Sequence, residues 1–252
     1  MKLRVRFTKT GKVRFLSHRD LARLFERTFR KLRLPVAYSE GFSPRPKFSF
    51  GLALSVGHES EAEYLDVDLA TSVELEDLPA RLTEVLPNGV AVTAVRELRG
   101  GEKSLQEAIA CCSWDIELLG APNDDVATAL AAVMAAPSLA FARERKGKTS
   151  VADVRPALLE AELVGPTING AQLRLLLATD LVSLRPAELV RLLNAELPER
   201  TLREGRVCRT HQWTMVDHVR TEPISLQPSQ APATEAEPEA DRSTPHAELR
   251  AS

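Results

Sequence analysis

Cysteine is scarce in this chain: Cys111, Cys112 and Cys208 are its whole complement in 252 residues. Three thiols with no C-x-x-C spacing build no paired disulfide framework, and they are too few for a four-thiolate zinc or iron–sulfur site within this chain. They read as small buried residues of a reducing compartment. Long apolar runs are missing too. Nothing approaches the roughly 20 consecutive residues that cross a bilayer, and the first residues alternate in polarity where a signal peptide would carry an apolar stretch. These absences predict a soluble, cytoplasmic protein. With 44% hydrophobic residues, it has enough for one or two ordinary cores.

Negative charge is missing from one place in particular. The first fifty residues hold fourteen Lys/Arg against three Asp/Glu, whereas the whole chain has a net charge of −2. A local cationic surplus concentrates anionic partners and speeds their association. Nucleic acid is therefore the first partner to consider, and an acidic protein surface the second.

The basic segment is also rich in regular pattern. Residues 2–7 alternate, with Leu3, Val5 and Phe7 on one face and Lys2, Arg4 and Arg6 on the other, which predicts a half-buried strand. After a turn at 8–11, Lys12-Val13-Arg14-Phe15 continues the alternation, with Phe15 on the core side. Ser17, with Asp20 three residues on, predicts a helix N-terminus. Leu21, Leu24, Phe25, Phe29 and Leu32 form its apolar stripe. Arg19, Arg23 and Arg27, four residues apart, share the opposite face with Arg30, interrupted by Glu26. Such a face is an ordinary solvated surface unless its composition says otherwise. Here it is all arginine, whose planar fork matches phosphate. The outward face of residues 2–6 has no aromatic, so base stacking on that strand is not expected, and backbone or shape recognition fits better.

Further strands are expected at 36–39, 47–54, 63–69 and 90–98, with a helix at 75–86. Residues 99–113 form a connecting segment, and the pattern then repeats: strand 114–119, helix 124–135, strand 139–145, a basic turn, strands 158–164 and 172–179, helix 185–196 and strand 206–215. The expected fold is α+β, with two tandem ferredoxin-like domains, each with an antiparallel sheet. Their bounds are 1–98 and 114–220, followed by a disordered acidic tail at 221–252 that holds five prolines and six acids.

Two local features carry possible chemistry. His18 begins the first helix beside arginines; it could act as a general base for RNA cleavage, or be a packed structural histidine. Nothing in the sequence places a second histidine or a paired carboxylate beside it. In Tyr38-Ser39-Glu40-Gly41-Phe42-Ser43-Pro44-Arg45-Pro46-Lys47, two prolines stiffen the backbone around Arg45. The loop either presents Arg45 and Lys47 to a phosphate or is a stiff crossover in which Phe42 plugs the core. The acids Glu59, Glu61, Glu63, Asp66 and Asp68 are expected to pair with Arg or Lys across strands and not to bind metal.

Lys12-Val13-Arg14-Phe15-Leu16-Ser17-His18-Arg19-Asp20-Leu21, Leu34-Pro35-Val36-Ala37-Tyr38-Ser39-Glu40-Gly41-Phe42-Ser43-Pro44-Arg45-Pro46 and Glu61-Ala62-Glu63-Tyr64-Leu65-Asp66 closely resemble the bacterial radical SAM-linked protein family, which carries the DUF2344 domain. Val154-Arg155-Pro156 and Leu184-Arg185-Pro186 resemble its second half. In that family the domain stands alone or follows a radical SAM domain, often encoded near a ribonuclease of the E/G type and ribosomal proteins. The resemblance thus implies RNA metabolism or translation, with a radical SAM protein as a possible partner. This chain has no C-x-x-x-C-x-x-C and so cannot itself hold that cluster. Its first half is also similar to the repeat-associated RNA-binding proteins of CRISPR systems, a likeness of fold that speaks weakly to function.

The expectation is an RNA-binding accessory protein without cofactor or metal. Arg4, Arg6, Arg14, Arg19, Arg23, Arg27, Arg45 and Lys47 would contact phosphate, and Arg145, Lys146 and Lys148 of the later basic turn would extend the path. The alternatives are a metal-independent ribonuclease using His18 and a protein-binding module whose basic face docks an acidic partner.

Overall fold

Helix α1 (His18–Lys31) forms where the sequence predicts it. The Ser17 hydroxyl accepts from the Asp20 backbone N–H at 3.2 Å and donates to the Asp20 carboxylate at 2.7 Å. At its C-terminus Arg33 takes the left-handed conformation, with φ 54°, while the N–H of Leu34 reaches back to the Phe29 carbonyl. Leu21, Phe25 and Phe29 bury the apolar stripe against strand β1 (Lys2–Lys9) and strand β3 (Glu59–Asp68), through Leu3, Val5, Phe7 and Leu65. The computed structural model describes residues 1–179 and 182–224, apart from the Arg145 side chain.

The remaining elements follow in order: β2 (Phe48–Phe50), between α1 and β3; then α2 (Leu78–Val85), β4 (Val92–Glu97), α3 (Leu105–Ala108), β5 (Ile109–Leu119), α4 (Asn123–Ala135), β6 (Ala140–Arg145), β7 (Lys148–Asp153), β8 (Leu158–Thr167), β9 (Gly170–Ala178), α5 (Pro186–Ala195), β10 (Arg203–Val216) and β11 (Val219–Thr221). The fold is α+β, with five helices on a large, mostly antiparallel sheet. Among the described residues, none of the helices is long and apolar enough to cross a membrane.

Where two separate antiparallel sheets were expected, nine strands join into one. The order is β4-β1-β3-β10-β5-β9-β8, with β2 also on β3 and β11 on β10, while β6 and β7 form a ribbon of their own. The joint is the sheet's parallel pairing, and it is short: Cys208 opposite Glu59 and Arg209 opposite Ser60. So few ladder bonds hold little by themselves, and side chains reinforce them. The Arg209 guanidinium, 1% exposed, lies 2.5 Å from the Glu63 carboxylate and donates to the Leu52 carbonyl at 3.0 Å. Arg206 pairs with Glu59 at 2.7 Å, and the Gln212 amide donates to the Ala62 carbonyl.

Several expectations are revised. Residues 11–15 form a 3-10 turn and not a continued strand, and Phe15 is 60% exposed, outside the core. Residues 36–39 make two isolated bridges, Val36 to Leu69 and Tyr38 to Pro46, and 47–54 contributes three strand residues. Strand β5 begins at Ile109, inside the expected connecting segment. The expected tail loses its first four residues to the fold: Thr221 ends β11, and Pro223 and Ile224 are buried. The rest of that expectation, residues 225–252, lies outside the described residues. All three cysteines are buried without a disulfide. Burial pushes the Cys112 thiol up to about 11 and the Cys208 thiol to about 12, so both stay protonated at neutral pH.

Arg209→Met leaves the Glu63 carboxylate buried without its partner. It is expected to cost about 3–5 kcal/mol in urea unfolding, and Arg209→Met/Glu63→Leu is expected to recover most of that loss. A single-variant cost below about 1 kcal/mol would show that the pair does not hold the joint.

Candidate nucleic-acid interface

The structure sorts the fourteen cations of the first fifty residues by burial. Arg4, Arg6 and Lys9 are buried, Arg14 is half-buried, and the other ten are exposed. This corrects the expectation for the strand. Arg4 and Arg6 do not face solvent, because β1 lies between β3 and β4 and both of its faces are covered. Arg4 grips Asp66, directly opposite on β3, through two bonds of 2.8 and 2.9 Å, and reaches the Lys103 carbonyl. Arg6 donates to the Tyr64 hydroxyl, to Thr93 and to Glu222, each at 3.2 Å. Neither is available to phosphate. Three of the five acids expected to pair do so: Asp66 with Arg4, Glu63 with Arg209, and Glu59 with Arg206 and with Arg14 of the 3-10 turn; Glu61 and Asp68 form no ion pair among the described residues.

The cover over this face is itself held by charge. Arg96 of β4 binds Glu102 through two bonds of 2.6 and 2.9 Å and donates to the Pro223 carbonyl at 3.0 Å. The bond from Arg96 holds the Glu102 carboxyl at about 2, well below its ordinary 4.5.

Arg14 lies 3.4 Å from Glu59, and its guanidinium sits 4.6 Å over the exposed Phe15 ring. Helix α1 keeps its arginines outside. Arg19, Arg23, Arg27 and Arg30 are all exposed. Arg23 makes a loose contact with Asp20 at 3.7 Å and Arg30 pairs with Glu26 at 2.9 Å, both largely in solvent, where such pairs hold weakly. Arg19 and Arg27 form no ion pair among the described residues. The 38–47 loop stands beside the end of this helix. A cleft of about 170 Å³ separates them, with Glu26, Arg30 and Arg33 on the helix side and Tyr38 and Pro46 on the other.

The loop is closed on itself. The Arg45 N–H donates to the Ser39 hydroxyl at 3.0 Å, and the Ser39 N–H to the Arg45 carbonyl at 2.8 Å. Arg45 and Lys47 are exposed, and Phe42, which was to plug the core on the crossover reading, is fully exposed. Tyr38 is half exposed. Two aromatic side chains therefore stand in the same loop as Arg45, a combination that a reading of residues 2–6 alone misses. Its signal is an apolar ring two residues before the first of the two prolines, in a segment with no periodicity to carry it inward.

His18 is exposed, its ring edge-on to Phe50 at 5.0 Å between centroids, with no hydrogen bond among the described residues. Lys146 and Lys148 are exposed at the tip of the β6–β7 ribbon, where Lys146 and Gly147 both take positive φ (52° and 72°) as a two-residue hairpin turn requires. That ribbon is outside the nine-stranded sheet. The Arg145 side chain lies outside the described residues.

A family described as an uncharacterized protein conserved in bacteria (DUF2344) matches residues 2–188. The chain belongs to it. No curated protein matches. The DUF2344 match takes in β1, α1, the 38–47 loop and the joint's Glu59 and Glu63, and ends within α5.

A glutamate with a depressed pKa contributes stability that is present above its unfolded value and is lost as pH falls through its folded value. The stability difference between the parent chain and Glu102→Gln is therefore expected to be constant at neutral pH and to vanish between about pH 4.5 and 2. Urea melts at stepped pH measure it; a difference that persists at pH 2 contradicts the Arg96 assignment.

Proposed function

We propose that this DUF2344 chain is an RNA-binding accessory protein, acting beside a radical SAM enzyme or RNA-processing or translation machinery. Its contact surface is the outer face of α1 with the 38–47 loop. The observation that carries the reading is the one-sided distribution of the cations: ten of fourteen stay in water, and those on α1 repeat every three or four residues beside a rigid loop. Arg19, Arg23, Arg27, Arg30, Arg45 and Lys47 would meet phosphates, and Phe42 and Tyr38 would stack on unpaired bases. Single-stranded or looped RNA suits this set better than a continuous duplex, whose bases offer no free faces.

In the same reading each strand set is a ferredoxin-like unit. What supports it is the order of strands: β4-β1-β3-β2 in the first set and β10-β5-β9-β8 in the second, each with two helices between its strands. The β6–β7 ribbon is then an insertion in the second unit. The fused sheet would hold the two units in one fixed relation, so that a strand of RNA on α1 meets a rigid support.

Binding of a fluorescent single-stranded RNA, followed by anisotropy at several salt concentrations, tests the proposal. Arg19→Glu/Arg23→Glu/Arg27→Glu is expected to weaken binding by about tenfold or more near physiological salt and to flatten the slope of log K against log salt by roughly 2. Arg4→Met, an interior change, is expected to lower stability without altering the slope. Equal binding by the parent and the triple variant would overturn the proposal.

A further inference from the structure

A second concave site lies over the joint between the two strand sets, and the reading above does not use it. It is a cleft of about 360 Å³, larger than the cleft of about 170 Å³ beside α1. Its walls come from far-apart segments: the β2–β3 connection, β5, β10, and Thr179 with residues 183–186. Leu54, Trp114, Leu184 and Pro186 give it apolar sides. Arg209 and His58 give it a polar floor, and Arg185, exposed at the start of α5, adds a cation.

The floor is unusual in its unused bonding. His58 is 9% exposed, and its Nε2 lies 3.5 Å from the Glu204 carboxylate. Its Nδ1 is buried and has no hydrogen-bond partner among the described residues, and neither has the second Glu204 oxygen. An imidazole nitrogen left unpaired in the interior costs free energy that a ligand's polar edge would recover. Trp114 stands beside it, its ring edge-on to the imidazole at 6.2 Å and its face 5.4 Å from the Arg209 guanidinium. Flat apolar walls, one orphaned ring nitrogen and a cation fit a planar heterocycle that carries a negative charge, and the volume falls in the range of small-ligand pockets.

We infer that this cleft binds a single nucleotide, its base between Leu54, Trp114 and Leu184 with an edge bonded to His58 Nδ1, and its phosphate toward Arg185. This inference rests on the RNA-binding reading for its biological source, an unstacked nucleotide of the bound strand, but not for its chemistry, which a free mononucleotide satisfies equally.

The chain has two tryptophans, Trp114 and Trp213. In the full chain carrying Trp213→Phe, emission reports Trp114 alone. Titration with the four nucleoside 5′-monophosphates is expected to give a saturable change for at least one of them, and none with inorganic phosphate. His58→Ala and Arg185→Ala, in that background, are each expected to weaken it at least tenfold. Arg185 is exposed, so its variant tests the site even if His58→Ala unfolds. The absence of any saturable response at millimolar nucleotide, an equal response to phosphate alone, or unchanged affinity in Arg185→Ala would overturn the inference. RNA binding measured in parallel separates the two proposals. If the chain with its cleft intact binds RNA but no mononucleotide, the cleft's role alone is overturned, and the α1 triple variant should bind mononucleotide normally.

Discussion

A guanidinium withdrawn from water needs a carboxylate or an array of oxygens around it, and here those oxygens come from far along the chain. Arg4 takes Asp66, 62 residues away; Arg209 takes Glu63, 146 away; Arg6 takes Glu222, 216 away. Each buried pair therefore ties together segments that sequence separates. Such pairs contribute little net stability compared with a well-packed apolar core, but losing one partner is costly. They specify which segments meet. The joint between β3 and β10 depends most on this, because two ladder positions are all the backbone provides there.

The same requirement divides the basic residues into two populations. Those on β1 are consumed by the fold, and those on α1 and the 38–47 loop are left facing water. A helix face needs no internal partner for its arginines, and the acids near α1, Asp20 and Glu26, are themselves partly exposed and engaged with Arg23 and Arg30. The cationic surplus of the first fifty residues thus becomes a surface narrower than composition implies, but one with more varied chemistry, since the loop adds exposed rings to it.

The helices were legible because their signals are local. Ser17 and Asp20 mark the start of α1, and the apolar spacing through Phe29 marks its buried face. α4 and α5 likewise fall within a residue or two of their expected bounds. Strand β1 was legible as a strand but not in its surroundings. Alternation normally separates a wet face from a dry one, and here the polar face is dry because acids on β3 and a cover from residues 99–108 and 222–224 neutralise it. Nothing within residues 2–7 encodes that cover. Phe15 and Phe42 misled in the opposite direction: an aromatic in a turn has no periodicity to reveal its side. The parallel joint was illegible for a related reason, since it depends on Arg209 meeting Glu63 in three dimensions.

The division between interior and exterior arginines is open to direct chemical measurement. Arginine-directed labelling with phenylglyoxal, read by mass spectrometry with and without single-stranded RNA, reports each guanidinium separately. The account predicts that Arg4, Arg6 and Arg209 resist labelling in the folded chain, and that Arg19, Arg23, Arg27 and Arg45 react and become protected when RNA is present. Ready labelling of Arg4 and Arg6, or helix arginines that react equally with and without RNA, would contradict it.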